Sequence, residues 1–161
     1  NKQELFIAVV DKFWFSTQNP RNKFTETNGT FAEFIDEYVR GVQRTMDMLG
    51  DLIGAEREKV AQGKFTYHAQ YFHFLFQLLQ YDPDAKEKLR NLVEVDYAYW
   101  RAAIQRAIAT GELREDVDVE DAVVMFRQVY MGLSFEMAFM GGLNTQRLAK
   151  HLHAVYSLLK R

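Results

Sequence analysis

The placement of the chain-breaking residues constrains this sequence most. Among 161 residues there are only two prolines and nine glycines. Most stand between segments whose apolar side chains recur every three or four residues. Helices have that period, whereas half-buried strands alternate every two residues between glycine-rich turns, and no such alternation is sustained here. The pattern predicts an all-α fold, about six helices in an orthogonal or antiparallel bundle, as one domain over residues 1–161. A hydrophobic content of 48% supplies a core and excludes disorder.

The first helix is predicted over residues 2–15. Asn1 and Glu4 have the spacing of a capping box, and Leu5, Phe6, Val9, Val10 and Phe13 form its stripe. Residues 16–29 read as a polar loop. A second capping box, Thr30 with Glu33, opens a helix that carries Phe31, Phe34, Ile35, Tyr38, Val42, Met46 and Leu49 on one face. Gly50 and Gly54 mark its end, and residues 55–64 fit either helix or loop. The third helix, residues 66–80, is densely aromatic and apolar nearly all round, which predicts burial on most sides. Asp82 and Pro83 start a fourth that runs to residue 110, before Gly111, with Leu89, Leu92, Val93, Tyr97, Trp100, Ile104, Ala107 and Ile108 inward. Asp118 caps a fifth helix reaching residue 140, and Asn144 caps a sixth reaching residue 160.

The fifth helix predicts a partner. Between Ala122 and Met140 its only strongly polar side chains are Arg127, Gln128, Ser134 and Glu136. Such a helix must be covered on more than one side, by its own core and by a second copy. The expected assembly is a homodimer in which the last two helices of each copy form a four-helix bundle. The candidate interface is Ala122, Val129, Gly132, Leu133 and Glu136, with Leu148, His151, Leu152, Val155 and Leu158. Close helix approach would account for Gly132 within a helix.

The middle helices supply a candidate small-molecule pocket: Met46 and Leu49, then Tyr71, Phe74, Leu75 and Leu78, then Asp96, Tyr97, Trp100 and Ile104, then Phe126 and Tyr130. Aromatic rings between helices with a few polar tips make such sites, and the same residues also make ordinary core packing. Asp96, beside Tyr97 and Trp100, needs a partner if buried: a cationic or hydrogen-bonding ligand, or Arg101 or a tyrosine hydroxyl. Gln77 and Gln128 are further polar candidates.

Other chemistries find little support. A net charge of −2 gives no surface for a nucleic-acid backbone. Without cysteine there is no thiolate metal site, disulfide or Cys nucleophile, which suits a reducing cytoplasm. His68 with His73, and His151 with His153, have the wrong spacing for a shared helical metal site, so no metal and no cofactor is expected. The serines lack a strand–turn–helix setting. An enzyme or carrier using the apolar cavity is the alternative, with Asp96, His73 and Glu94 as its ionisable set. A pure protein-interaction module is a third reading. No apolar run is long enough to span a membrane, so no membrane partner is expected.

The run Ala107-Ile108-Ala109-Thr110-Gly111-Glu112-Leu113-Arg114-Glu115-Asp116-Val117-Asp118 resembles a segment frequent in TetR-family transcriptional regulators, where it joins the long seventh helix to one of the two dimer helices. Ala122 and Gly132 fall where that family often has small residues. Lys2-Gln3-Glu4-Leu5-Phe6 is similar to the start of the family's fourth helix, just after its DNA-reading helix. The resemblance implies a ligand-binding and dimerisation domain that binds a small-molecule effector and acts on DNA through an N-terminal helix-turn-helix domain, absent from this chain. It also implies a repressor, whose first helix would pass a ligand-driven population shift to that domain. Truncating Trp100 is expected to abolish the response and spare the dimer.

Overall fold

The computed structural model describes residues 1–24, 29–52 and 67–161. Within them the fold is all-α, with six helical segments and one isolated antiparallel bridge, between Leu113 and Lys160. Segment α1 is α-helical over Lys2–Val9, passes through a π-helical turn at Val10–Trp14, and ends in the short piece Phe15–Thr17. Helices α2 (Phe31–Leu52), α3 (Tyr67–Tyr81), α4 (Ala85–Ala109), α5 (Val119–Ala138) and α6 (Thr145–Leu159) follow. Leu49 falls outside the residues whose side chains are described, and the predicted stop at Gly54 and the 55–64 segment lie outside the described residues altogether.

The predicted caps form. The Asn1 side chain accepts from the Glu4 N–H at 2.9 Å, and the Glu4 carboxylate accepts from the N-terminal amine at 2.8 Å. The Thr30 hydroxyl and the Glu33 carboxylate exchange backbone bonds in the same way, at 3.2 and 2.7 Å. Asp118 and Asn144 each accept a backbone N–H three residues on. At α4 the cap moves by two residues. Asp84 is the capping position, and Asp82 instead closes a turn by accepting from the Asp84 N–H at 2.9 Å.

Two apolar cores form. The larger gathers α2, α4, α5 and α6 around Trp100, which stacks on Phe126 at 5.0 Å and meets Phe31, Phe34 and Tyr38 edge-on. The smaller joins α1 to α3 and the start of α4 through Val10, Trp14, Leu78 and Ala85. Two expectations need correction here. The α1 stripe that packs is Phe6, Val10 and Trp14, while Leu5, Val9 and Phe13 are exposed. The packed stripe steps by four residues, and the π-helical turn, which has more residues per turn than an α-helix, keeps Val10 and Trp14 on the same side. Helix α3 is not enclosed either. Only one of its faces meets α1, α4 and α5, and Phe76 and Leu79 are exposed.

The stretch after α1 is not a polar loop throughout. Asn22 donates to the Ser16 and Thr17 carbonyls, at 2.9 and 3.0 Å, and a 3₁₀ turn at Pro20–Asn22 carries Lys23 and Phe24 inward. The backbone of Lys23 lies against α2 at Gly41, where an added Cβ would collide with it, the Lys23 Cα being 2.5 Å away. Glycine is required there for the close approach.

The segment between α4 and α5 ties three helix ends together. Gly111, at φ +76°, turns the chain out of α4. The Glu112 carboxylate then accepts from the Phe31 and Ala32 N–H groups at the start of α2, at 2.7 and 3.3 Å, and from the Tyr156 hydroxyl at 2.9 Å. Leu113 is sealed in the core, and Arg114 donates to the Leu158 carbonyl at the end of α6. Glu112→Ala is therefore expected to cost about 2 kcal/mol, since it orphans two helix N–H groups and a tyrosine hydroxyl. Urea unfolding measures this, and a cost below about 0.5 kcal/mol would show that water replaces the carboxylate.

Candidate functional site

The predicted pocket residues divide between the two cores. Phe74, Leu75 and Leu78 belong to the smaller, with Tyr71 at its edge. Trp100, Ile104 and Phe126 are fully buried in the larger, with Met46, Tyr97 and Tyr130 packed around it. Apolar members of the set are thus ordinary core. Trp100 in particular lies at its centre, so the Trp100→Ala test would strike the fold itself.

A polar cluster lies where the two cores meet. Asp96 on α4 is 97% buried, and its Oδ2 lies 2.6 Å from Nε of Arg127 on α5, though the N–H is not aimed along that contact. Its partner is therefore Arg127, not Arg101. Arg101 instead forms a two-bond pair with Glu120 on the surface, at 2.5 and 2.8 Å. Tyr38, Tyr71 and Tyr130 surround the buried pair. Tyr38 and Tyr130 meet edge-on at 5.8 Å, and the Arg127 guanidinium stands 5.6 Å from the centre of the Tyr130 ring. Arg127, Tyr130 and Ser134 recur at three- and four-residue spacing along α5, and Asp96 and Trp100 are four apart on α4, so helical geometry aims each set at one place.

Electrostatics mark the cluster out. Burial pushes the Tyr38 phenol well above its ordinary pKa, and Asp96 adds to this; burial and Tyr130 do the same for Tyr71. Burial opposes the charge on Arg127, yet Asp96 and the three tyrosine oxygens hold its pKa above the usual arginine value. Among the described residues five polar atoms here have neither a hydrogen-bond partner nor contact with solvent: Asp96 Oδ1, Arg127 Nε and Nη1, Tyr38 Oη and Trp100 Nε1. Ser134 Oγ is a sixth. Buried polar atoms are normally satisfied, so this concentration needs a reason.

Three residues not singled out as pocket candidates join the cluster. Lys23, 7% exposed, places its ammonium 5.2 Å from the centre of the Tyr130 ring. His68 on α3 is buried, and burial together with Lys23 lowers its pKa to about 4. Arg127 is the third. It is the one basic residue between Ala122 and Met140, which was the visible signal, since a buried charge needs an opposite one. Gln128 faces outward, as do His73 and Glu94, so Asp96 has no ionisable companion from the expected enzyme set. Among the described residues no group of three His, Asp or Glu could hold a metal.

The predicted interface residues also divide. Gly132, Glu136, His151 and Leu158 are exposed, and Val129 and Val155 half-buried. Ala122, Leu133, Leu148 and Leu152 are buried in their own chain's core, which corrects their assignment to a surface. They hold α5 and α6 against α2 and α4, so the outward faces are rotated from the expected stripe. On α5 the outward arc is Val124, Met125, Gly132, Phe135 and Phe139, with Phe72 of α3 edge-on to Phe135 at 5.2 Å.

Arg127→Met leaves Asp96 buried and unpaired and should cost about 3–5 kcal/mol, while adding Asp96→Leu should restore most of it. Chemical denaturation of both variants measures this, and a single-variant cost under about 1 kcal/mol would mean that water reaches the pair. His68 gives a pH dependence. Its folded pKa lies below its unfolded one, so the unfolded state takes up the proton first as pH falls. Its stabilisation is complete above about pH 6.5 and lost down to about pH 4, a change of about 3 kcal/mol. His68→Gln should flatten the stability profile across that window, and an unchanged profile would refute a neutral buried imidazole.

A family model described as "Tetracyclin repressor-like, C-terminal domain" matches residues 42–152. No curated protein and no solved structure gave a match. The matched span contains the outward face of α5, the segment that ties the helix ends, and most of the buried cluster. With its all-α bundle, the chain belongs to the tetracycline-repressor-like family, as a C-terminal domain of that kind of regulator.

Proposed function

We propose that this chain is the effector-sensing and dimerisation domain of a transcriptional repressor that works in the cytoplasm and loses DNA affinity when a small molecule binds. The observation that carries this reading is the group of unsatisfied buried polar atoms around Asp96 and Arg127. A ligand that completes those hydrogen bonds would bind one arrangement of the helices better than another, as a population shift requires.

The connection from this cluster to α1 is short. Tyr71 stacks on Trp14 at 5.8 Å, and Phe74 meets Phe6 at 5.6 Å. Lys88 at the start of α4 binds both Asp82 and Asp11, at 2.9 and 2.7 Å, pinning α1 to the turn between α3 and α4. A shift of Tyr71 on ligand binding would therefore tilt α1. In this proposal α1 leads to a helix-turn-helix domain whose two copies must sit about 34 Å apart on DNA, so a tilt misplaces them. A coupling of about 1–3 kcal/mol is enough for a switch. The second copy would dock on the outward faces of α5 and α6, where Phe139 and Leu158 are exposed by 70% and 67%.

Two measurements test this. Gel-shift binding of the full-length protein to its own upstream DNA, with a panel of small molecules, should show release by one class. Tyr38→Phe should raise the releasing concentration at least tenfold with little change in stability, and no change in that concentration would refute the site. In light scattering, Phe139→Asp with Leu158→Glu should convert a dimer to a monomer at nearly unchanged thermal stability, and an intact dimer would refute the interface.

A further inference from the structure

The buried cluster holds more positive than negative charge. Lys23 and Arg127 bring two cations to the ring of Tyr130, at 5.2 and 5.6 Å from its centre. Among the described residues Asp96 is the carboxylate paired with Arg127, and none forms an ion pair with Lys23. The side chains are not on a solvated surface, for Lys23 is 7% exposed and Asp96 3%. An ammonium in such a place is costly without an anion nearby. The fold nevertheless secures it: the 3₁₀ turn and the glycine at position 41 seat the Lys23 backbone directly on α2.

The unsatisfied atoms agree with this imbalance. Arg127 Nη1 and Trp100 Nε1 can only donate, and Tyr38 Oη and Ser134 Oγ can donate or accept. Asp96 Oδ1 is the one atom of the set that can only accept. His68 adds no opposing charge, being neutral near pH 7. The walls are aromatic, with Tyr38, Trp100 and Tyr130 in mutual edge contact through Tyr38.

Resting on the effector-site reading above, we infer that the effector is a small organic acid, its carboxylate held by Lys23 and Arg127 and its apolar body set against the rings of Tyr38 and Tyr130. Binding then supplies the missing negative charge and satisfies donors that the ligand-free protein leaves unmet. Neutral amides and amines of the same shape lack that gain, and an amine adds a third cation.

The test uses the full-length protein with benzoate, phenylacetate and octanoate, their amides and the corresponding amines, read by calorimetry and thermal shift. Acids should bind and raise the Tm, and amides and amines should not. Lys23→Met should abolish acid binding, and Lys23→Arg should retain it. Lys23→Met should also raise the Tm of the ligand-free protein by about 2–4 °C, because it removes a cation that the fold largely encloses. A lowered ligand-free Tm would make Lys23 a structural residue and overturn the inference. Binding by amides or amines in place of acids, or by none of the three classes, would overturn it as well. The effector site stands through these failures if the compound that releases DNA still loses potency in Tyr38→Phe, and falls with them if it does not.

Discussion

The ion pair between Asp96 and Arg127 is the interaction on which the rest of this structure turns. It crosses from α4 to α5 in the interior, 2.6 Å long, at the meeting point of two apolar cores. Two charges withdrawn from water cost several kcal/mol each, and a buried pair is often no more stabilising than apolar residues of the same volume. Tight packing is thus a poor explanation for its presence. Around it stand three tyrosines, a tryptophan N–H and a buried lysine, and among the described residues Tyr38 Oη and Trp100 Nε1 find no hydrogen-bond partner. A regulator whose resting interior is incompletely satisfied has free energy available to a ligand that completes it.

The frame around the cluster is firm on one side and more open on the other. Toward α2 and α6 it is held by the Glu112 carboxylate, by Arg114 on the last turn of α6, and by Trp100 stacked on Phe126. Toward α1 and α3 the contact is a smaller aromatic layer, with one helix partly exposed and one ion-pair anchor at Lys88. Local opening concentrates where buried apolar contact is least. A ligand acting on Tyr71 would therefore move α1 and α3 against a fixed remainder, which is the direction that a DNA-linked first helix requires.

Much of the fold was legible because helix caps and apolar periodicity are local. Asn1, Thr30, Asp118 and Asn144 could be identified as caps from their neighbours alone. The run from Ala107 to Asp118, which carries the family resemblance, has a mechanical reason in the structure: Glu112, Arg114 and Asp118 each bind a different helix terminus. What was illegible depended on rotation and on distance along the chain. The α1 stripe steps by four residues into a π-helical turn, and α6 carries Leu148 and Leu152 inward while leaving Leu158 outward. Asp96 was correctly suspect, but its partner lies 31 positions away on another helix. Lys23 gave no sign in the sequence, because its burial follows from a turn that seats its backbone on a glycine in the next helix.

In the proposed mechanism the effector binds at the Asp96–Arg127 cluster and is felt in α1. Hydrogen–deuterium exchange of the DNA-competent protein, with and without the compound that releases it, tests both parts together. Exchange should slow in α2 near Tyr38, in α4 near Asp96 and in α5 near Arg127, and should change in α1. Protection confined to the outward faces of α5 and α6, with the interior and α1 unchanged, would contradict it.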